Sequence, residues 1–163
     1  MPVRRMGPDD ADVMRRLRLR ALQEAPSAFG STYDREAAFS DQEWLARLSP
    51  DGYPHFLAED NHGEPVGMVV GAPDQDNSET ALLLGLWVAP EARRQGWAAL
   101  LVDEVLGWAR STGVSAVRLH VTEGNSPAEH LYERCGFAST GRWFVRDRDG
   151  ARELEMELRL RTD

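Results

Sequence analysis

Lysine and isoleucine are absent from the 163 residues, and cysteine occurs once, at position 135. All 19 basic residues are therefore arginines, so no lysine can act as a base or form a Schiff base. A single cysteine cannot form a disulfide within the chain, which favours a reducing compartment such as the cytoplasm. No apolar run approaches the ~20 residues of a membrane-spanning helix, and we expect neither a secretory signal nor a membrane partner.

The charge balance is acidic. The formal net charge is −8 and the isoelectric point is near 5.0. Proteins that bind nucleic acids or anionic membranes through their overall charge are usually basic, so we expect no nucleic-acid partner either. The length and the ordinary hydrophobic share of 42% predict one globular domain over residues 1–163.

Hydrophobic periodicity and capping signals predict an alternation of helices and strands. The predicted helices cover residues 9–24 and 40–48, a segment that follows Ala98 and stops near Thr112, and residues 126–135 with Ser126 as the cap. The predicted strands cover residues 55–59, 66–71, 80–88, 114–122, 138–146 and 152–160. This order is typical of one mixed α/β domain.

Residues 93–98, Arg-Arg-Gln-Gly-Trp-Ala, form a predicted tight turn that leads directly into a helix. The first turn of a helix exposes unpaired backbone N–H groups and a partial positive charge. Gly96 lets the backbone approach a ligand closely, and Arg93 and Arg94 carry forked donors that suit phosphate oxygens. We interpret the turn as a pyrophosphate cradle; the alternative is a solvated helix start with surface arginines. Neither the Walker motif nor the G-x-G-x-x-G fingerprint is present in it.

A second motif follows in residues 125–137, where Asn125 and Ala128 precede Leu131-Tyr132-Glu133 and then Gly136-Phe137. Together with Arg93-x-x-Gly96-x-Ala98, this pattern resembles the GNAT family of N-acetyltransferases. The resemblance is strongest over residues 83–141. It implies an α/β fold with a mixed, splayed sheet of six to seven strands, flanked by about four helices.

The resemblance also implies acetyl-CoA as donor, with its pantetheine arm between the strands that end at Val88 and Thr122. The diphosphate would lie on the amides of residues 93–98, and the Val88 N–H would face the acetyl oxygen. The residues implied to contact acetyl-CoA are Leu86, Trp87, Val88, Arg93, Arg94, Gln95, Gly96, Trp97, Ala98, Asn125, Ala128 and Tyr132.

Two residues are candidates for proton transfer. Tyr132 is the candidate acid, because a phenol with a pKa near ~10 can protonate a thiolate whose conjugate thiol ordinarily has a pKa of ~8.5. His120 is the candidate base, on the strand face that it shares with Arg118 and Thr122. The alternatives are a core-packing tyrosine, a strand histidine satisfied by a neighbour, other bases (Glu36 or Glu123), or a proton relay through water.

The acceptor would meet the thioester from the side opposite the donor. Candidate acceptor contacts are Phe29, Tyr33, Glu36 and Trp143. His55, His62 and His130 show no ligand spacing with cysteine or carboxylates, so we expect no metal. The sequence thus favours acetyl transfer from acetyl-CoA to a primary amine of a small molecule. A protein or peptide acetyltransferase and a non-catalytic acyl-CoA sensor stay as alternatives, and the resemblance adds the expectation of a homodimer through the last strands.

Overall fold

The computed structural model describes residues 2–160, which form seven strands and five α-helices. The strands are β1 (Val3–Arg5), β2 (His55–Glu59), β3 (Pro65–Pro73), β4 (Thr80–Val88), β5 (Ala116–Thr122), β6 (Ala138–Val145) and β7 (Arg152–Arg159). The helices are α1 (Ala11–Glu24), α2 (Tyr33–Ala37), α3 (Asp41–Arg47), α4 (Trp97–Thr112) and α5 (Ser126–Arg134). No helix within these residues is long and apolar enough to cross a membrane.

All seven strands belong to one sheet, in the order β1-β2-β3-β4-β5-β7-β6. Only β4 and β5 run parallel to each other, because α4 connects them as a crossover; the other neighbours are antiparallel. The two predicted hairpins, β2–β3 and β6–β7, are confirmed. The mixed α/β fold class is confirmed as well.

The sheet opens between its two parallel strands. Only Thr80–Leu82 of β4 pair with residues 116–118 of β5, although both strands continue for several residues. The register between β3 and β4 shifts opposite Met68 to Val70, where Gly85 has φ +62°. A bulge of this kind bends its strand and ends regular pairing. The far half of β4 therefore diverges from β5 and leaves a gap between them.

Hydrophobic side chains pack on both faces of the sheet. On one face, α4 and α5 cover a core that includes Leu101, Val105 and Leu119. On the other face, α1 and α3 cover a second core that includes Leu17, Trp44 and Trp87. The alternation along β5 is as predicted, with Val117, Leu119 and Val121 buried and His120 exposed on the opposite face.

Two local features differ from the sequence prediction. The short strand β1 was not predicted; it pairs with β2 at the edge of the sheet, where three residues give too little periodicity to be recognised. The predicted Ser126 cap was wrong, because Asn125 caps α5 instead: its side-chain oxygen accepts the Ala128 N–H at 3.4 Å. An amide side chain one residue earlier reaches the third amide of the helix, which is the position that a cap satisfies.

Candidate active site

A cavity of about 990 Å³ lies at the open end of the gap between β4 and β5. Four segments line it: the end of β4, the turn that precedes α4, the first turns of α5, and the connection after α1. The implied acetyl-CoA contacts in its lining are Leu86, Trp87, Val88, Arg93, Arg94, Gly96, Trp97, Ala98, Asn125, Ala128 and Tyr132. Gln95 is the one implied contact outside the lining, and its side-chain oxygen accepts the Trp97 indole N–H at 3.3 Å.

The turn before α4 presents unpaired amides. Arg94 and Gly96 both have positive φ angles, +64° and +92°, and alternation with left-handed residues points successive N–H groups into a common concavity. From Arg94 to Ala99, no backbone N–H donates to an acceptor within residues 2–160; the Leu100 N–H is the next that does, to the Gly96 carbonyl. This arrangement can hold an anion by backbone contacts and by the positive end of α4.

The guanidinium of Arg93 is used to fix the turn. Its Nε donates to the Val88 carbonyl at 2.9 Å, and its Nη2 donates to Glu24 Oε2 at 3.0 Å. The same carboxylate oxygen accepts the Trp87 indole N–H at 3.0 Å. The bond from Arg93 lowers the pKa of Glu24 and outweighs the effect of burial, so this carboxylate stays ionised. Glu24 was missed in the sequence, because nothing local in α1 indicates a partner 69 residues away.

A second ion pair joins α1 to the same region. Arg20 donates through both terminal nitrogens to Glu91, at 2.9 and 2.7 Å, and this bidentate contact lowers the pKa of Glu91 to about 2. The Arg20 guanidinium also lies 5.4 Å from the centroid of the Trp87 ring. The last two turns of α1 therefore contact the segment that connects β4 to the turn of residues 93–98 at two places, through Arg20 and through Glu24.

The end of β4 is oriented toward the gap. The Ala89 N–H donates to the Val66 carbonyl, and Gly67 lies opposite Val88 in the antiparallel ladder with β3. Since bonding directions alternate along such a ladder, the Val88 N–H and carbonyl are turned away from β3. Arg93 donates a hydrogen bond to the Val88 carbonyl. The Val88 N–H is therefore the group that stays available on the gap side.

Tyr132 lies in the wall of this cavity, on α5. Its ring is buried against Phe137 in an edge-on contact, with the ring centroids 5.9 Å apart. Burial raises the pKa of Tyr132 above its ordinary value, and the nearby Cys135 adds to the effect. No residue within 2–160 forms a hydrogen bond with its hydroxyl. The phenol is therefore a neutral donor in contact with the cavity.

His120 lies on the other face of the sheet, two residues beyond the last residue of β5 that pairs with β4. Its ring stacks on Phe144 at 4.7 Å, and its Nε2 lies 3.8 Å from Glu155 Oε2. Glu155 is itself buried and accepts a hydrogen bond from the Thr140 hydroxyl at 2.9 Å. His120 is not in the lining of the cavity that contains Tyr132. Glu155 was missed in the sequence, since only the register of β5 with β7 places it opposite His120.

The four predicted acceptor contacts differ in their surroundings. Phe29 lines the cavity, whereas Tyr33 packs against the core beneath α1. Trp143 is 42% exposed on β6, where the Arg152 guanidinium lies 4.4 Å from its ring centroid.

Glu36, the fourth, is buried between two arginines. Arg18 donates to both of its oxygens at 2.9 and 3.0 Å, and Arg47 donates to one at 3.3 Å. Burial alone would raise the pKa of Glu36, but the hydrogen bonds from Arg18 and Ser31 and the charge of Arg47 outweigh it and lower the pKa. A carboxylate so neutralised is a poor base and a poor site for a cationic acceptor.

The turn between β6 and β7 is tied to the connection after α1. Arg146 is buried and donates to the carbonyls of Phe29 and Ser27 at 3.1 and 2.9 Å, and Arg148 donates to the Phe29 carbonyl at 2.8 Å. The two segments that flank the acceptor side therefore meet across this face of the sheet. Within residues 2–160 there is no cluster of three or more histidine, cysteine or acidic side chains that could hold a metal ion.

Comparison with known proteins agrees with this architecture. The profile of the Acetyltransferase (GNAT) family matches residues 18–137. Aminoglycoside N(6')-acetyltransferase type 1 of Serratia marcescens is 39% identical over 67 residues, which cover 41% of this chain and 46% of that protein. The chain thus matches less than half the length of this curated relative.

Two solved structures share the fold over nearly their whole length. An acetyltransferase of the GNAT family from Streptococcus pneumoniae superposes with a TM-score of 0.83 at 22% identity, covering 98% of this chain and 99% of that one. The Salmonella typhimurium protein yncA, solved with its cofactor acetyl-CoA, superposes with a TM-score of 0.80 at 19% identity, covering 100% and 95%.

Proposed function

The chain belongs to the acetyltransferase (GNAT) family, and from that premise we propose that it transfers the acetyl group of acetyl-CoA to a primary amine of a small molecule, directly, in a ternary complex. One observation carries the proposal. A single cavity joins the unpaired amides of residues 94–99 to the neutral phenol of Tyr132, across a gap bordered by β4. The family membership makes acetyl-CoA the donor, and its thioester supplies an activated acetyl group.

Each end of the cavity has a chemical task. The amides of the turn bind the diphosphate, helped by the dipole of α4. The Val88 N–H, turned toward the gap, donates to the acetyl oxygen as negative charge develops there. Asn125 caps α5 through its side-chain oxygen, which leaves the amide nitrogen of the same side chain free to donate to the pantetheine arm.

Proton transfer completes the reaction. Tyr132 protonates the thiolate that leaves, a role favoured by a hydroxyl with no competing protein partner. His120 accepts the proton of the attacking amine, directly or through water, with Glu155 beside it as the group that stabilises the imidazolium. Because both substrates are held together, no covalent enzyme intermediate is required.

The contacts on the acceptor side support a small acceptor, because the bonds from Arg146 and Arg148 tie the turn between β6 and β7 to the segment after α1 across it. The relative from Serratia marcescens is named for an aminoglycoside, which is a small amine. We further propose a cytoplasmic location, supported by the lone, unpaired Cys135. A homodimer through the exposed strand β6 is also proposed.

The test is release of free coenzyme A from acetyl-CoA, followed with a thiol reagent, over a panel of small amines and short peptides. Acetyl-CoA should raise the melting temperature in every case, because a ligand that binds only the native state stabilises it. Turnover with small amines supports the proposal. Turnover with peptides alone favours the peptide acetyltransferase, and heat protection without any turnover favours the sensor.

A further inference from the structure

We propose that the acceptor carries an anionic group, such as a carboxylate, close to its amine, and that Arg18 binds this group. The inference rests on the proposed function and specifies its substrate class: an amino acid or a compound of the same charge pattern. It depends on the position of Arg18, on a nitrogen of Arg18 that has no protein partner, and on the charges that surround it.

Arg18 lies beside a wall residue of the cavity and beside the bulge of β4. Its guanidinium carbon is 4.9 Å from the centroid of the Phe29 ring, and Phe29 lines the cavity. Its Nη1 comes within 3.4 Å of the place where a Cβ on Gly85 would lie. Gly85 belongs to the register shift between β3 and β4, beyond the last β4 residue that pairs with β5 and one residue before Leu86 at the cavity wall. Arg18 therefore reaches β4 next to the cavity wall from the α1 face.

The Arg18 guanidinium is held rigidly but keeps a free donor. Nε and Nη2 are bound to the two oxygens of Glu36, while Nη1 donates to no acceptor within residues 2–160. The side chain is 18% exposed. In the described part of the chain, every fully enclosed side-chain nitrogen or oxygen has a hydrogen-bond partner except Trp44 Nε1. Since Arg18 Nη1 has no partner there, it is not one of the enclosed atoms and has access to solvent. A guanidinium with a fixed orientation and open donors is well suited to a carboxylate.

The charge around Arg18 is positive, against the net negative charge of the whole chain. Glu36 is shared by Arg18 and Arg47, so two cations face one anion. Both arginines, with Arg5, also disfavour a positive charge on the half-buried His55, although burial is the main reason why its pKa is lowered. This cluster repels a second ammonium group and attracts an anion.

A negative charge, that of Glu155, lies farther along the same face of the sheet. Glu155 is buried beside His120, with Arg142 at 3.8 Å from its other oxygen. An acceptor with a carboxylate close to its amine matches both regions, the amine toward His120 and Glu155 and the carboxylate toward Arg18. A polycationic acceptor matches only the region of His120 and Glu155.

The experiment compares acceptors that differ only in the anionic group. L-phenylalanine, L-phenylalaninamide and phenethylamine form one set, and L-methionine, its amide and 3-(methylthio)propylamine form another. We expect kcat/KM of at least one acid to exceed that of its amide by about tenfold or more, mainly through KM, as for a hydrogen bond to a charged group. The amine of the amide is less basic and hence more often neutral, so intrinsic reactivity favours the opposite result.

Variants then assign the preference to Arg18. The double variant Arg18→Gln/Glu36→Gln removes both charges but retains hydrogen-bonding groups, so no buried carboxylate loses its main partner. It should remove the preference for the acid while the amide and the simple amine are still acetylated. Arg16→Gln, an exposed position on the same helix, is the matched control and should keep the preference.

Two results overturn the inference. In the first, acid and amide are acetylated equally. In the second, the double variant retains the preference for the acid while its melting temperature shows that it is folded. Either result means that Arg18 does not bind a carboxylate of the acceptor. Both results leave the proposed function intact. If no amine in the panel is acetylated although acetyl-CoA protects against heating, the proposed function itself fails, and the inference fails with it.

Discussion

Glu24 Oε2 accepts a hydrogen bond from Arg93 Nη2 at 3.0 Å and thereby joins the last turn of α1 to the turn of residues 93–98 before α4. The Trp87 indole N–H shares this oxygen. The carboxylate therefore connects three elements of the donor site: the helix on the acceptor side, the end of β4, and the turn proposed to hold the diphosphate. Coenzyme A affinity should depend on a residue that does not belong to either sequence motif.

Replacement of Glu24 by alanine should weaken both folding and coenzyme A binding. The buried Trp87 N–H loses its acceptor, which costs about 1–3 kcal/mol of the free energy of unfolding. The half-exposed ion pair with Arg93 adds little to the free energy of unfolding. Because Arg93 then holds the turn less firmly, the coenzyme A Kd should rise roughly fivefold, or about 1 kcal/mol. Calorimetric titration and thermal melts measure the two effects. Glu104→Ala, an exposed position on α4, is the control, and an equal change in both variants would contradict the role of Glu24.

Gly96→Ala should impair coenzyme A binding through the backbone. Gly96 has φ +92° immediately before α4, and a side chain there is disfavoured by about 1–2 kcal/mol. Relief of that strain would rotate the amides that converge on the anion. Gly107→Ala is the matched control, because a Cβ at this position within α4 meets nothing within 4 Å. It should stabilise the helix by roughly 0.5–1 kcal/mol and leave Kd unchanged. Unaltered binding by the Gly96 variant would argue against the cradle.

Tyr132→Phe should reduce kcat while coenzyme A binds as before. The substitution removes only the hydroxyl, which has no hydrogen-bond partner in the part of the chain that the structure describes, so the fold should not change. Loss of a general acid lowers kcat by roughly 10²-fold or more. Steady-state kinetics with the best acceptor of the panel provides the measurement. A variant with normal turnover would show that Tyr132 only packs.

The buried position of Tyr132 should be visible in an alkaline titration. Burial raises its pKa above the ordinary value near ~10. The neutral form is therefore favoured in the folded chain: its contribution to stability is complete below about pH 10 and is lost as the pH rises toward the raised pKa. Tyrosinate absorbance should show a late-titrating group that is missing from Tyr132→Phe. A titration curve that Tyr132→Phe leaves unchanged at high pH would contradict the buried position.

His120→Asn should lower kcat/KM by roughly 10²-fold, because the group proposed to accept the proton of the attacking amine is gone. His62→Asn, in the exposed turn between β2 and β3, is the control. If the His120 variant keeps the wild-type kcat/KM, water or another group accepts the proton.

Element order could be read from the sequence to a large extent. β4 has the predicted bounds, and Gly113 follows the end of α4 with φ +83°, because a glycine adopts the left-handed conformation that ends a helix. The exposed face of β5 followed from its alternation. The cap of α5 was misassigned by one residue, because Asn125 and Ser126 are both good caps and only the helix geometry decides between them.

The partners of charged side chains could not be read in the same way. Glu36 was predicted as an acceptor contact, but helix packing places it between Arg18 and Arg47. Arg93 was predicted to bind phosphate, and the structure adds that its guanidinium donates to the Val88 carbonyl and to Glu24. In both cases the residue type indicates a charged contact, but only the packing of helices and strands shows which protein groups make it.

The sequence by itself determined the alternation of helices and strands, the turn of residues 93–98 that leads into a helix, and the position of Tyr132 one helix later. These depend on local periodicity and on backbone conformations that neighbouring residues set. Only the tertiary structure decided that β4 parts from β5 after Leu82, that Glu24 reaches Arg93, and that Glu155 faces His120. Such contacts depend on strand register and helix packing, which arise from many weak interactions between residues far apart in the chain.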